Sequence, residues 1–206
     1  MSDILIRDRA MLINLKKCAS TSLYKAFRGI RVSSERRRYQ SNESVSGEII
    51  CAGIFFRNPY ARLISVWKNL VQVYDTRNFY QPLGGEMGVL ANDDFATFAR
   101  KVLDTPDEKR DHHVQTQFNQ FSELYDPKIP WFYGSVENIW EDWPKFLKFC
   151  DKWGISWASN PIPTSSSLEH HNRGKPVSRY ETEGPWEEIH AEYKEDYDFW
   201  SDIIRG

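Results

Sequence analysis

The sequence is short of cysteine, of long apolar stretches and of any dominant charge, and each shortage excludes something. Among 206 residues there are three cysteines, Cys18, Cys51 and Cys150. They are odd in number and far apart, which fits neither a zinc spacing nor a disulfide framework. They read as reduced thiols. The longest apolar run, Ile49 to Phe56, has eight residues, whereas a bilayer-spanning helix needs roughly 20. The opening MSDILIRDR interleaves acids and arginines with apolar residues where a secretory signal has a continuous apolar core. A chain without membrane span or signal is expected to be cytoplasmic. No internal repeat is visible.

What is present is a globular composition. Hydrophobic residues make up 40% and charged residues 27%, with 8 Trp, 10 Tyr and 12 Phe, which excludes a disordered chain. The length fits a single domain over residues 1–206. The net charge of −2 is unevenly spread: residues 1–80 hold 14 Lys/Arg against 6 Asp/Glu, and residues 81–206 hold 13 against 23. Such polarity fits an anionic ligand on the N-terminal half, and a merely solvated basic face equally well. Nucleic acid is prompted by Arg36, Arg37 and Arg38, but no recognised motif of aromatic and basic residues accompanies them, so no nucleic-acid partner is expected.

Alternation of apolar runs with helical spacing sets the architecture. Met11 to Leu15 predicts a strand, KKCASTS a loop, and Leu23 to Phe27 a short helix before Gly29. Arg31 to Gly47 is a polar surface loop. Ile49 to Phe56, bounded by Gly47 and by Asn58-Pro59, predicts a central strand of a parallel sheet, buried on both faces. Pro59 then opens a helix carrying Leu63, Val66, Trp67, Leu70, Val71 and Tyr74. Phe79 to Asn92 reads as a loop, and Asp93 as the cap of a helix bearing Phe95, Phe98, Ala99 and Val102. Val114, Phe118, Phe121 and Leu124 predict a further helix. Trp131 to Val136 predicts a buried strand, followed by an amphipathic helix with Trp140, Trp143, Phe146, Leu147 and Cys150. Both of those tryptophans are expected in the core, and packing is the expectation even for Trp157, the better candidate for a stacking platform. Residues 158–180 are rich in Pro, Ser, Gly and Asn, and a last helix is predicted from Pro185 to Ile204. The expectation is an α/β three-layer sandwich around a mainly parallel sheet, with ligands at the carboxyl ends of its strands.

One strand end carries the chemistry. Lys16, Lys17, Cys18, Ala19, Ser20, Thr21 and Ser22 offer backbone N–H groups, two ammonium groups and hydroxyls to an anion at the start of a helix. The glycines and the terminal Gly-Lys-Ser/Thr of an ordinary nucleotide-triphosphate loop are missing. With its lysine first, KCASTS resembles the 5′-phosphosulfate loop of sulfotransferases, and most of all that of the carbohydrate O-sulfotransferases of heparan and chondroitin sulfate type. FFRNPYARLISVWKN resembles the same family's 3′-phosphate element, a buried strand, Arg-Asn-Pro and a serine on the following helix. There Arg57 and Ser65 match, while Arg62, on an amphipathic helix, reads as structural. HVQTQ at His113 to Gln117 is similar to a His-aromatic-x-Pro-Gln signature, from which Val114 and Thr116 depart. GSVENI and HHNRGKPVSRY resemble the later elements of the family.

The resemblance implies transfer of a sulfuryl group from 3′-phosphoadenosine 5′-phosphosulfate (PAPS) to an acceptor hydroxyl, on a carbohydrate in the family named, and a fold related to the P-loop nucleotide kinases, with no metal. It also implies residue roles. Lys17 occupies the family's lysine position, where its charge meets the negative charge growing on the bridging oxygen; Lys16 is the alternative, or a steering charge. Ser20, Thr21 and Ser22 would hold the 5′-phosphate side, Arg57 and Ser65 the 3′-phosphate, and Arg173 or Lys175 one more phosphate contact. His113 is the first candidate for the base that takes the acceptor proton, and Glu43, in the polar loop, the second. A different class stays open, a non-catalytic nucleotide-binding relative acting as a binding or regulatory module.

Overall fold

A computed structural model describes residues 3–6, 9–13, 15–19, 23, 31–32, 49–72, 80–155 and 183–205. The chain divides into two compact units, each discontinuous in sequence: Met1–Phe56 with Glu123–His171 and Ile203–Gly206, and Arg57–Ser122 with Asn172–Asp202.

The first unit is built on a sheet of five strands, β1 (Asp3–Ile6), β2 (Ala10–Ile13), β3 (Arg31–Val32), β4 (Cys51–Phe56) and β5 (Trp131–Ser135), in the order β3-β1-β2-β4-β5. Strands β2, β4 and β5 are parallel neighbours, with Ile13 opposite Ile54 and Phe56 opposite Ser135. The run Ile49 to Phe56 is thus the central strand expected, with all six residues of β4 buried. The expectation of a mainly parallel sheet needs correction on one side. Strand β1 pairs antiparallel with both β2 and β3. The reason is the connection: only residues 7–9 separate β1 from β2, enough for a hairpin and far too few for a parallel crossover.

One face of this sheet is covered by α5 (Ile139–Lys152). Its buried stripe of Trp143, Phe146, Leu147 and Cys150 packs with Ala10, Leu12, Cys51 and Phe55 in one cluster. Trp143 is in the core as expected, but Trp140 is 38% exposed, because it falls outside that stripe; Trp157 lies outside the described residues. All three cysteines are free and buried. Cys51 and Cys150 share a hydrogen bond, which together with burial raises the Cys150 thiol above its ordinary pKa. The fit between helix and sheet depends on Gly53, where an added Cβ would lie 2.5 Å from Cε2 of Phe146.

The second unit is helical: α1 (Pro59–Val66), α2 (Gln81–Gly84), α3 (Phe95–Leu103), α4 (Gln117–Ser122), α6 (Trp186–Glu192) and most of α7 (Lys194–Arg205). Asn58 caps α1 by accepting from the N–H groups of Tyr60 and Ala61, with Pro59 in the first turn, where its missing N–H costs nothing. The helix widens into a π turn over Trp67–Val71. Asp94, not Asp93, caps α3, accepting from Thr97 N–H at 2.7 Å. Asp93 is drawn away, to Leu90 N–H and the Lys101 ammonium, each at 2.8 Å. The helix expected over Val114 to Leu124 is shorter, because Thr116 gives both its N–H and its hydroxyl to Asp107 and is held in a loop. The long C-terminal helix is two, broken at Tyr193, whose hydroxyl donates to Val114 O. Among the described residues no helix is long and apolar enough to cross a membrane.

Gly53→Ala should lower the stability by about 1–3 kcal/mol, the range for forcing a methyl into a packed core. Urea unfolding monitored by tryptophan fluorescence measures this; an unchanged midpoint would show that α5 does not bear on β4 as closely as described.

Candidate functional site

In the first unit, the loop after β2 has an unusual backbone. Lys17 and Ala19 both take left-handed conformations, with φ of 63° and 57°. Each costs about 1–2 kcal/mol for a residue with a side chain. Cys18, between them, is buried and donates its N–H to Leu15 O at 3.2 Å. Left-handed residues alternating with others turn neighbouring N–H groups toward one point, the geometry of anion-binding nests. Leu23 is helical, and its N–H donates to Ala19 O at 2.9 Å. Lys16 and Lys17 are half-buried. Ser20, Thr21 and Ser22 lie outside the described residues, as do Glu43, Arg173 and Lys175.

In the second unit, Arg57 directly precedes the capped start of α1, and Ser65 stands in its last turn, where its hydroxyl and carbonyl oxygens accept from Asn69 Nδ2 at 3.4 and 2.7 Å. The Arg57 backbone is clasped on both sides by one side chain: its N–H donates to Gln117 Oε1 at 2.9 Å, and Gln117 Nε2 donates to its carbonyl at 2.8 Å. Gln117 is held in turn by Asp196 of α7, whose carboxylate accepts from Gln117 N–H at 2.8 Å, Gln117 Nε2 at 3.3 Å and Phe118 N–H at 2.7 Å. The two N–H groups are the first of α4, so Asp196 caps that helix from a residue 79 positions away. Burial pushes the Asp196 carboxyl above the usual range, opposed by those backbone hydrogen bonds and the Arg62 guanidinium. Arg62 is structural, as expected: it is 1% exposed and donates to Gln115 O at 2.6 Å and His112 O at 3.0 Å.

The segment so anchored carries His113. Its N–H and its ring Nδ1 both meet Asp111 Oδ1, at 2.9 and 2.6 Å. A carboxylate only accepts, so Nδ1 carries the proton and the neutral ring keeps its lone pair on Nε2. His112 Nδ1 lies 3.4 Å from Asp111 Oδ2, and the two imidazole centroids are 4.5 Å apart. Tyr80 packs edge-on to His113 at 4.8 Å, and burial together with the nearby Asp111 carboxylate raises its phenol pKa. Burial works to raise the Asp111 carboxyl, but the His113 hydrogen bonds and both imidazoles overcome it and hold its pKa below the ordinary aspartate value.

The sequence had offered His113 without its partner. Asp111 is two residues away and was legible in principle, since an aspartate bonds the backbone N–H two positions on. Gln117 sits in the quoted HVQTQ segment, but its role needs Arg57 and Asp196, 60 and 79 positions distant, which no local signal supplies. Compared with known proteins, the chain matches no family model, no curated protein and no solved structure.

The lowered Asp111 pKa fixes a sign. A carboxyl depressed in the folded state contributes stability that is complete above the unfolded value of about 3.9 and is lost as pH falls through the folded one. Asp111→Asn should therefore be less stable than the parent near neutrality, with the difference shrinking below about pH 4. Urea titrations across that range check it; a difference that grows on acidification would contradict the assignment.

Proposed function

We propose that this chain is a sulfotransferase that uses PAPS as donor and an acceptor hydroxyl, on a carbohydrate, as recipient, on a three-layer fold of P-loop-kinase type. The observation that carries the reading is the left-handed pair at Lys17 and Ala19 in the KCASTS loop. That loop follows the carboxyl end of β2, whose parallel neighbour β4 ends immediately before Arg57. Strain of this kind is kept where the surroundings enforce it, and it concentrates in ligand clamps.

The donor supplies an activated sulfuryl group, and the residues of this chain have the chemistry to receive it. The loop N–H groups and hydroxyls hold the 5′-phosphate side. The Lys17 ammonium neutralises charge at the bridging oxygen as the bond to sulfur breaks. Arg57, its backbone fixed by Gln117, presents a guanidinium that with the Ser65 hydroxyl binds the 3′-phosphate. His113 takes the acceptor proton on Nε2 while the acceptor oxygen bonds to sulfur and 3′-phosphoadenosine 5′-phosphate leaves. Asp111 positions that ring and stabilises the imidazolium.

Transfer of labelled sulfate from the donor to a panel of sugars, lipids, phenols and peptides tests this directly. Lys17→Ala should reduce the rate by about a hundredfold to a thousandfold, the effect of removing one such stabiliser, and leave product-nucleotide binding measurable. Lys16→Ala should have the smaller effect; the reverse order would move the catalytic lysine by one position. Nucleotide binding without transfer to any acceptor would select the non-catalytic alternative.

A further inference from the structure

Asp111, His112 and His113 present one carboxylate oxygen and two imidazole nitrogens, all within 4.8 Å of one another. We propose that these three side chains form a binding site for a divalent transition ion of zinc type. The inference goes beyond the transfer reading, because the ion takes the imidazole which that reading needs as a base. Zinc therefore binds whether or not the chain is a sulfotransferase, and suppresses transfer if it is.

The donor set selects the ion. Two imidazoles and a carboxylate suit zinc and its neighbours, whereas calcium and magnesium take oxygen ligands alone. Three protein ligands also leave the fourth tetrahedral position to water. The spacing is close to what is needed. Zinc–ligand distances of about 2.0–2.2 Å separate neighbouring tetrahedral ligands by about 3.3 Å. Asp111 meets the two rings through different oxygens, with Oδ2 3.4 Å from the His112 nitrogen, so the carboxylate has to rotate for one oxygen to serve beside both. The His113 nitrogen, at 2.6 Å from Oδ1, has to open by about 0.7 Å to reach that spacing as the ion replaces the bridging proton.

The ligands are prepared by their surroundings. Arg62 holds the backbone on both sides of His113 through His112 O and Gln115 O, so the chain that carries them is ordered before any ion arrives. Tyr80 packs edge-on against the His113 ring at 4.8 Å, which limits the orientations that ring can take. The Asp111 and His113 side chains are 8% and 12% exposed, while His112 is 33% exposed. Two ligands are therefore sheltered and the third offers the route of entry.

The test is titration of the metal-free full chain with Co²⁺, followed by displacement with Zn²⁺. The expected result is a visible d–d band that saturates at one equivalent, without thiolate-to-cobalt charge transfer, and that Zn²⁺ abolishes. His112→Ala removes only a partly exposed ring, and should weaken binding by at least the roughly 10–100-fold that even an outer-shell partner is worth. His113→Gln should do the same. A His170→Ala/His171→Ala double variant, which removes the other adjacent histidine pair, should bind as the parent does. Absence of the band, sulfur ligation, a band that survives His112→Ala, or loss of binding in the His170/His171 variant would each overturn the proposal. Absence of transfer by the metal-free chain, with the band forming on Co²⁺ addition, would instead count against the sulfotransferase reading alone.

Discussion

The carboxylate of Asp196 is wholly buried, and the order of the helical unit depends on how its charge is met. It accepts three hydrogen bonds, two from the opening N–H groups of α4 and one from the Gln117 amide, with the Arg62 guanidinium near enough to stabilise the charge. A buried charge of this sort is tolerable only when every lone pair is used, and removing a partner leaves a penalty of about 3–5 kcal/mol. The same bonds decide positions. Gln117 can clasp the Arg57 backbone because Asp196 holds Gln117, and Arg62 can pin the segment from His112 to Gln115 because that segment ends at the capped start of α4. Arg110 completes the scaffold, 4% exposed, donating to Val102 O and Thr105 O and pairing with Asp107 and Glu192.

In the sheet unit the constraint is of another kind. Three adjacent parallel strands bring their carboxyl ends to one edge, and the first of them leads into a turn with two left-handed non-glycine residues. A glycine at either position would relieve the strain. Lysine at one of them puts an ammonium on the turn itself, which a glycine-rich phosphate loop achieves only with a lysine further along.

How much was legible from sequence follows the range of the interactions. β4 was legible because burial on both faces writes a continuous apolar run, and α5 because its stripe repeats at helical spacing. Arg62 was legible as structural because it interrupts an otherwise apolar helix face. The antiparallel β1 was not, since Asp3, Arg7, Asp8 and Arg9 dilute its apolar signal. Asp94 rather than Asp93 as the cap is a one-residue matter, decided by the competing claims of Leu90 and Lys101 on Asp93. Asp196 and Gln117 look like surface residues in any local window, and become the buried centre of a network only when α4 and α7 meet.

The central claim is that Arg57 and Ser65 read a 3′-phosphate, which separates a sulfuryl-transfer nucleotide site from any other phosphate cradle. Calorimetry with 3′-phosphoadenosine 5′-phosphate and with AMP measures that directly. The account predicts that the 3′-phosphate strengthens binding by about 1.5–3 kcal/mol, the value of a charge-assisted hydrogen bond, and that Arg57→Ala removes most of the difference. Equal affinity for the two nucleotides would contradict it.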